Sequence, residues 1–152
     1  MTEQEANKDV LRRFYEEFWN AGNVDAVDEL VADGYVDHQP VPDMPEGKDG
    51  FADLIRLWHT GFPDMSETVE ELIAEGDRVV GRFTFRGTHT GPFMGIAPTG
   101  RAVSMTGIDI VRIADGQIAE FWYAEQLHDL LRQLDALPEH VAAAAARGVD
   151  PA

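Results

Sequence analysis

Apolar residues recur at i, i+3 and i+4 as far as Thr60, and from Ser66 onward they alternate with polar ones, so the chain reads as helices followed by strands. Thr2-Glu3-Gln4-Glu5 predicts a capping box, with Thr2 as N-cap and Glu5 reaching back. The helix it opens runs to about Ala21 and stops at Gly22, with Val10, Leu11, Phe14, Tyr15, Phe18 and Trp19 in one wide stripe. Asn23 predicts the cap of a second short helix with Val24, Val27, Leu30 and Val31 inward. Tyr35-Val36-Asp37-His38 reads as a short extended piece ended by Pro40 and Pro42, and Gln39 to Gly50 as a loop. A third helix is predicted over about Asp49 to Thr60, with Phe51, Leu54, Ile55 and Trp58 on one face and Gly61 and Pro63 ending it.

The strands follow. Ser66–Ala74 and Arg78–His89 form a hairpin through Glu75-Gly76-Asp77. Thr90–Gly100 is a loop whose Phe93, Met94 and Ile96 look exposed, and Phe93 and Met94 suit a lid over a pocket mouth. A second hairpin, Val103 to Ala124, turns at Ala114-Asp115-Gly116. A three-residue loop there opposes Asp109 to Phe121 and Gly107 to Tyr123, and gives Met105, Val111 and Ala119 one shared face. A two-residue Asp115-Gly116 turn places Asp109 beside Trp122 and Glu120 instead, because a one-residue slip exchanges every neighbour. The x-Asp-Gly sequence favours the three-residue loop. A helix from about Leu127 to Leu137 ends the pattern, and past Pro138 the run Ala142–Ala146 predicts a short helix. Helices first and meandering antiparallel strands afterwards give an α+β fold, a curved sheet with helices over one face. The strands are apolar on both faces, so a second copy is the expected cover for the face bearing Ile108, Ile110 and Trp122, which makes the chain a homodimer.

Composition narrows the functions. A length of 152 residues fits one domain, residues 1–137, with a C-terminal tail over 138–152. The absence of cysteine excludes disulfides and thiolate chemistry, and the sequence has no membrane-span-like apolar run, which makes the cytoplasm the expected location. A net charge of −16 argues against nucleic acid and anionic membranes as partners. Lysine occurs only at Lys8 and Lys48, and the acidic excess reads as a solvated surface.

No P-loop, nucleophile elbow or dinucleotide fingerprint occurs, and the five histidines lack metal-ligand spacing, so neither metal nor cofactor is expected. What stands out are polar residues inside apolar elements. Asp109 in an apolar strand loses hydration, which raises its pKa toward the range of a general base. Tyr123 suits a hydrogen bond to a substrate oxygen and His38 a proton shuttle or substrate donor, which makes Asp109, His38 and Tyr123 the candidate catalytic set. Tyr15, Trp19, Asp37, Trp58, Phe62, His89, Phe93, Met94, Met105 and Phe121 are the candidate pocket lining for a small hydrophobic molecule.

Taken together, Arg13-Phe-Tyr-Glu-Glu-Phe-Trp-Asn20, Tyr35-Val-Asp-His38, Gly87-Thr-His-Thr-Gly91, Ile96-Ala-Pro-Thr-Gly100 and Thr106-Gly-Ile-Asp-Ile-Val-Arg-Ile-Ala-Asp-Gly116 resemble the SnoaL-like polyketide cyclases. These belong to the nuclear-transport-factor-two-like superfamily, which also holds ketosteroid isomerase. The resemblance spans about residues 5–137. It implies a cone-shaped α+β barrel around an apolar pocket, a sheet-to-sheet dimer, no cofactor, and aldol ring closure on an aromatic polyketide ester. Aligned through Arg112–Gly116, it puts Tyr123 where the family carries its acid and Asp109 where it carries a histidine. Two rival functions remain within the fold. One is a ligand-binding protein without chemistry. The other is an epoxide hydrolase of the limonene type, which needs an Asp–Arg–Asp cluster that Asp109 and Arg82 would have to begin.

Overall fold

A computed structural model describes residues 1–137; the helix expected at Ala142–Ala146 and the rest of the 138–152 tail lie outside the described residues. Thr2 caps the first helix, α1 (Glu3–Arg13), its hydroxyl accepting the Glu5 N–H at 3.1 Å. The α-helix does not run on to Ala21. It widens into a π-helix over Phe14–Asn20, and Ala21 donates to the carbonyl of Glu16, five residues back. Phe14 and Phe18 stack at 4.9 Å on this wider turn, both buried. Gly22 then reverses the chain with φ +69°. The short helix α2 (Ala26–Leu30) buries Val27 and Leu30, whereas Val24 precedes it and is exposed, not inward as expected.

Strand β1 (Val31–Asp37) begins four residues earlier than the Tyr35 expected. It runs parallel to β5, with a break in register between Val31 and Val36. Helix α3 (Gly50–Gly61) buries Phe51, Ile55 and Trp58. Strands β2 (Ser66–Glu75) and β3 (Arg78–Thr88) form the first hairpin, with Glu75 paired to Arg78 and only Gly76-Asp77 in the turn. Strands β4 (Ala102–Ala114) and β5 (Gln117–Glu125) form the second, and α4 (Leu127–Gln133) follows, shorter than the helix expected to Leu137. The five strands make one curved, unclosed sheet in the order β1-β5-β4-β3-β2, antiparallel except at β1, with the helices on its inner face. Among the described residues no helix is long and apolar enough to cross a membrane.

The β4–β5 register differs from expectation. The turn has two residues, Asp115 and Gly116, both at positive φ (52° and 75°), the hairpin turn whose twist matches the flanking strands. A bulge between Arg112 and Ile113 then adds one residue. Asp109 therefore pairs with Tyr123 and Gly107 with Glu125. Each β5 partner is two places beyond the one expected, so the expected face survives while the neighbours change. Ile118, not Ala119, fills the interior next to the bulge. Glycines in β3 and β4 make room for neighbouring rings, one from the helical layer and one from the adjacent strand. A Cβ at Gly81 would stand 2.6 Å from the Tyr15 hydroxyl, and one at Gly107 would stand 2.3 Å from the Phe83 ring.

Candidate active site

Asp109 sits mid-strand in β4 between Gly81 and Tyr123, on the inner face. It is 5% exposed, and its Oδ2 accepts a hydrogen bond from the Tyr15 hydroxyl at 2.6 Å. Tyr15 reaches it from the π-helix through the space that Gly81 leaves. Burial pushes the Asp109 carboxyl up to about 7; the Tyr15 hydrogen bond pulls it down and the Glu125 charge pushes it further up. Burial and the Asp109 charge hold the Tyr15 phenol far above its ordinary range, so Tyr15 is the donor of the pair.

Other ionisable groups gather around this pair. Tyr123, half-buried opposite Asp109, is pushed to about 12 by burial, helped by the charges of Glu125, Asp37 and Asp109. Glu125, two residues further along the same face of β5, is pushed to about 7 by burial. Tyr35 is raised by burial and by the charges of Asp37, Tyr123 and Asp109. Asp37 is raised by burial although it accepts the Gln39 N–H. On the edge strand, the Glu67 carboxyl is held well above the carboxylate range by burial and by Asp109 and Glu125, and among the described residues no donor reaches its buried Oε2. An open groove of about 630 Å³ between the first helical segment and β2 leads to Tyr15, Asn20 and Glu67.

A second, apolar group lies further along the sheet. Trp58, Phe62, Phe85 and Phe93 pack ring against ring with centroids 4.8–6.1 Å apart. Met105 joins them opposite Phe85, four residues along β4 from Asp109 and so roughly 13 Å away. Phe121 lies between Phe14 and Tyr123. Trp19 packs partly buried on Phe14 and Phe18, its carbonyl 2.7 Å from the His59 Nε2. His89 is fully buried beside Phe62; the Thr99 N–H donates to its Nδ1 at 3.2 Å, and its buried Nε2 has no partner among the described residues.

The residues singled out from sequence thus divide. Asp109, Tyr123, Tyr15, Asp37 and Phe121 come together; Trp58, Phe62, His89, Phe93 and Met105 form the aromatic cluster. Phe93 is buried, not exposed, because its ring fills the space over Gly61, and Met94 alone projects outward, 54% exposed. His38 does not join Asp109. It lies past β1 on the outer face, stacked on Trp122 at 4.4 Å with its Nε2 3.0 Å from Glu120. Arg82 also faces outward, toward Glu71, so it does not begin an Asp–Arg–Asp cluster with Asp109. Sequence reasoning missed Glu125, Glu67, Tyr35 and Asn20. Glu125 was within reach, since strand alternation puts it on the face of Phe121 and Tyr123. Glu67 was hidden by the acidic Glu70-Glu71 beside it and by the β2 bulge between Val69 and Glu71.

Residues 9–134 match the family described as SnoaL-like polyketide cyclase. The chain is 30% identical over 116 residues to aklanonic acid methyl ester cyclase DauD of Streptomyces sp. (strain C5), covering 74% of this chain and 71% of that protein. It is 29% identical over 118 residues to nogalonic acid methyl ester cyclase of Streptomyces nogalater, covering 76% and 88%. Its fold superimposes on TsrD from Streptomyces laurentii with a TM-score of 0.80 at 34% identity, over 90% of this chain and all of that one.

Proposed function

We propose that this chain, which belongs to the SnoaL-like polyketide cyclase family, closes a ring by intramolecular aldol addition on a small hydrophobic polyketide ester, with Asp109 as the base. The observation that carries this reading is the buried Asp109 carboxyl, raised to about 7 and held by one hydrogen bond from Tyr15. A carboxylate so placed is basic enough to take a proton from a carbon between two carbonyls, yet still ionises near neutrality. Tyr123, opposite it and still protonated at neutral pH, suits a hydrogen bond to the enolate oxygen. The rings of Trp58, Phe62 and Phe93 suit the flat aromatic part of such a substrate, their mutual contacts giving way to contacts with it. The working unit is a homodimer joined through the outer face of the sheet.

Aklanonic and nogalonic acid methyl esters, the compounds named for the relatives, are the first substrates to assay. The expected product is a ring-closed isomer of unchanged mass. Asp109→Asn should lower turnover by roughly 10²–10⁴-fold, the scale of general-base catalysis. Full turnover in that variant would remove Asp109 as the base. Binding of the esters with no isomer formed would make the chain a binding protein for such compounds.

A further inference from the structure

We propose that Glu67 is the second working carboxyl of this site and supplies the proton that the acceptor carbonyl oxygen takes up as the ring closes. This deepens the aldol reading and rests on it. Glu67 lies near the start of the edge strand β2, where its main chain has a strand partner, Phe85, on one side only. The amide of Asn20 takes the other side: its Oδ1 accepts the Glu67 N–H at 2.6 Å and its Nδ2 donates to the Glu67 carbonyl at 3.0 Å. Asn20 ends the π-helix that carries Tyr15, so one helical segment anchors both Glu67 and the donor to Asp109.

Burial raises both carboxyls, but they differ in the hydrogen bonds they receive. Asp109 receives a short hydrogen bond from Tyr15, which favours its ionised form. The buried Oε2 of Glu67 receives none, which favours the neutral acid. A neutral carboxyl carries one O–H, and a buried O–H without an acceptor is a place for a ligand oxygen. The groups facing Glu67 do not offset this. Tyr15 is a neutral phenol, Asp109 and Glu125 repel a second negative charge, and the groove's two cations are engaged elsewhere, Lys8 with Glu5 and Arg12 with Asp9. Two acids that differ in this way suit the roles of acid and base.

In the reaction, Asp109 takes the proton from carbon, and the C–H electron pair becomes the new C–C bond. The acceptor C=O π pair moves onto oxygen, which takes the Glu67 proton and becomes a hydroxyl. The product is an isomer, and the enzyme is restored when Asp109 gives up its proton to water and Glu67 takes one up from the groove.

Infrared difference spectroscopy of the whole protein tests this without turnover. At pH 8 the wild type should show the C=O stretch of a neutral carboxyl, lost in Glu67→Gln and kept in Asp109→Asn. With the two methyl esters as probes, Glu67→Gln should lower kcat by roughly 10²-fold with little change in KM. It should also abolish the alkaline limb of the kcat profile. Glu67→Asp keeps an acid and should restore that limb; should Glu67→Gln fail to fold, the presence or absence of the carboxyl band in the wild type at pH 8 decides. A wild type without the band, a band that survives Glu67→Gln, or an unchanged kcat in Glu67→Gln overturns the proposal. An active Asp109→Asn variant sinks the base assignment instead and leaves the band in place, so the two failures are distinguishable.

Discussion

A carboxyl raised to about 7 by burial weakens the fold when it ionises, and this gives Asp109 a signature independent of any substrate. Between its ordinary pKa, near 4, and 7 the unfolded chain holds fewer protons at this site than the native one, so stability falls as pH rises through that window and levels off above it. A rise of that size corresponds to at most about 4 kcal/mol. Glu125, also raised to about 7, and Glu67 act in the same direction, so the apparent values belong to the cluster. Asp109→Asn keeps the shape and removes the ionisation. In thermal melts it should match the wild type within about 1 kcal/mol at pH 4 and exceed it by roughly 2–4 kcal/mol at pH 8. A variant less stable at pH 8 than at pH 4, relative to wild type, would mean that the ionised carboxyl stabilises the fold. The inward, desolvated place of Asp109 was legible from an acid standing in an apolar strand. The Tyr15 contact was not, because it joins residues 94 positions apart through a gap that only Gly81 leaves open.

At the scale of elements, the site depends on two irregularities that periodicity does not reveal. The sequence stripe Phe14, Tyr15, Phe18, Trp19 fits an α-helix as well as a π-helix, and the wider turn goes with packing Phe14 and Tyr15 on the sheet and Phe18 on Phe51 of α3. The bulge near Arg112 is similar. Turn chemistry alone leaves the hairpin one residue out of phase with its apolar face, and the extra residue restores Asp109, Val111, Phe121 and Tyr123 to a common side. Helix order, strand order and the two hairpins were legible because each is written locally in caps, glycines and alternation. Gly81→Ala tests the fit between the layers. Its Cβ would meet the Tyr15 hydroxyl at 2.6 Å and Leu11 at 3.0 Å, in a fully packed interior. The expected cost is about 1–3 kcal/mol in a melt. Displacing the hydroxyl removes the interaction that lowers the Asp109 pKa, so the acid limb of any pH–rate profile, which the base controls, should move to higher pH. Tyr15→Phe, which keeps the ring, should move that limb the same way without the steric strain.

For the molecule as a whole, the outer sheet face carries the exposed apolar residues. Ile108 is 45% exposed and Ile73 52%, with Ile110 and Trp122 partly exposed on the same face, too much apolar surface for one open side of a sheet. Charge works against association anywhere else, since each chain carries −16. On this face, however, stand Arg78, Arg82 and Arg86 of β3 and Arg112 of β4; Arg78 lies over the Trp122 ring at 4.8 Å and Arg112 pairs with Glu120. The local charge is therefore far less negative than the average, and the face suits a second copy of itself. Light scattering should give a dimer at micromolar concentration. Long-range repulsion between two acidic chains is screened within about 10 Å at 0.1 M salt, so the dimer should tighten as salt is added. Ile108→Asp buries a charge at the centre of that contact and should yield a monomer with an unchanged far-ultraviolet spectrum. A wild type that is monomeric at micromolar concentration in 0.1–0.5 M salt, roughly the range in which screening is complete, would rule this interface out.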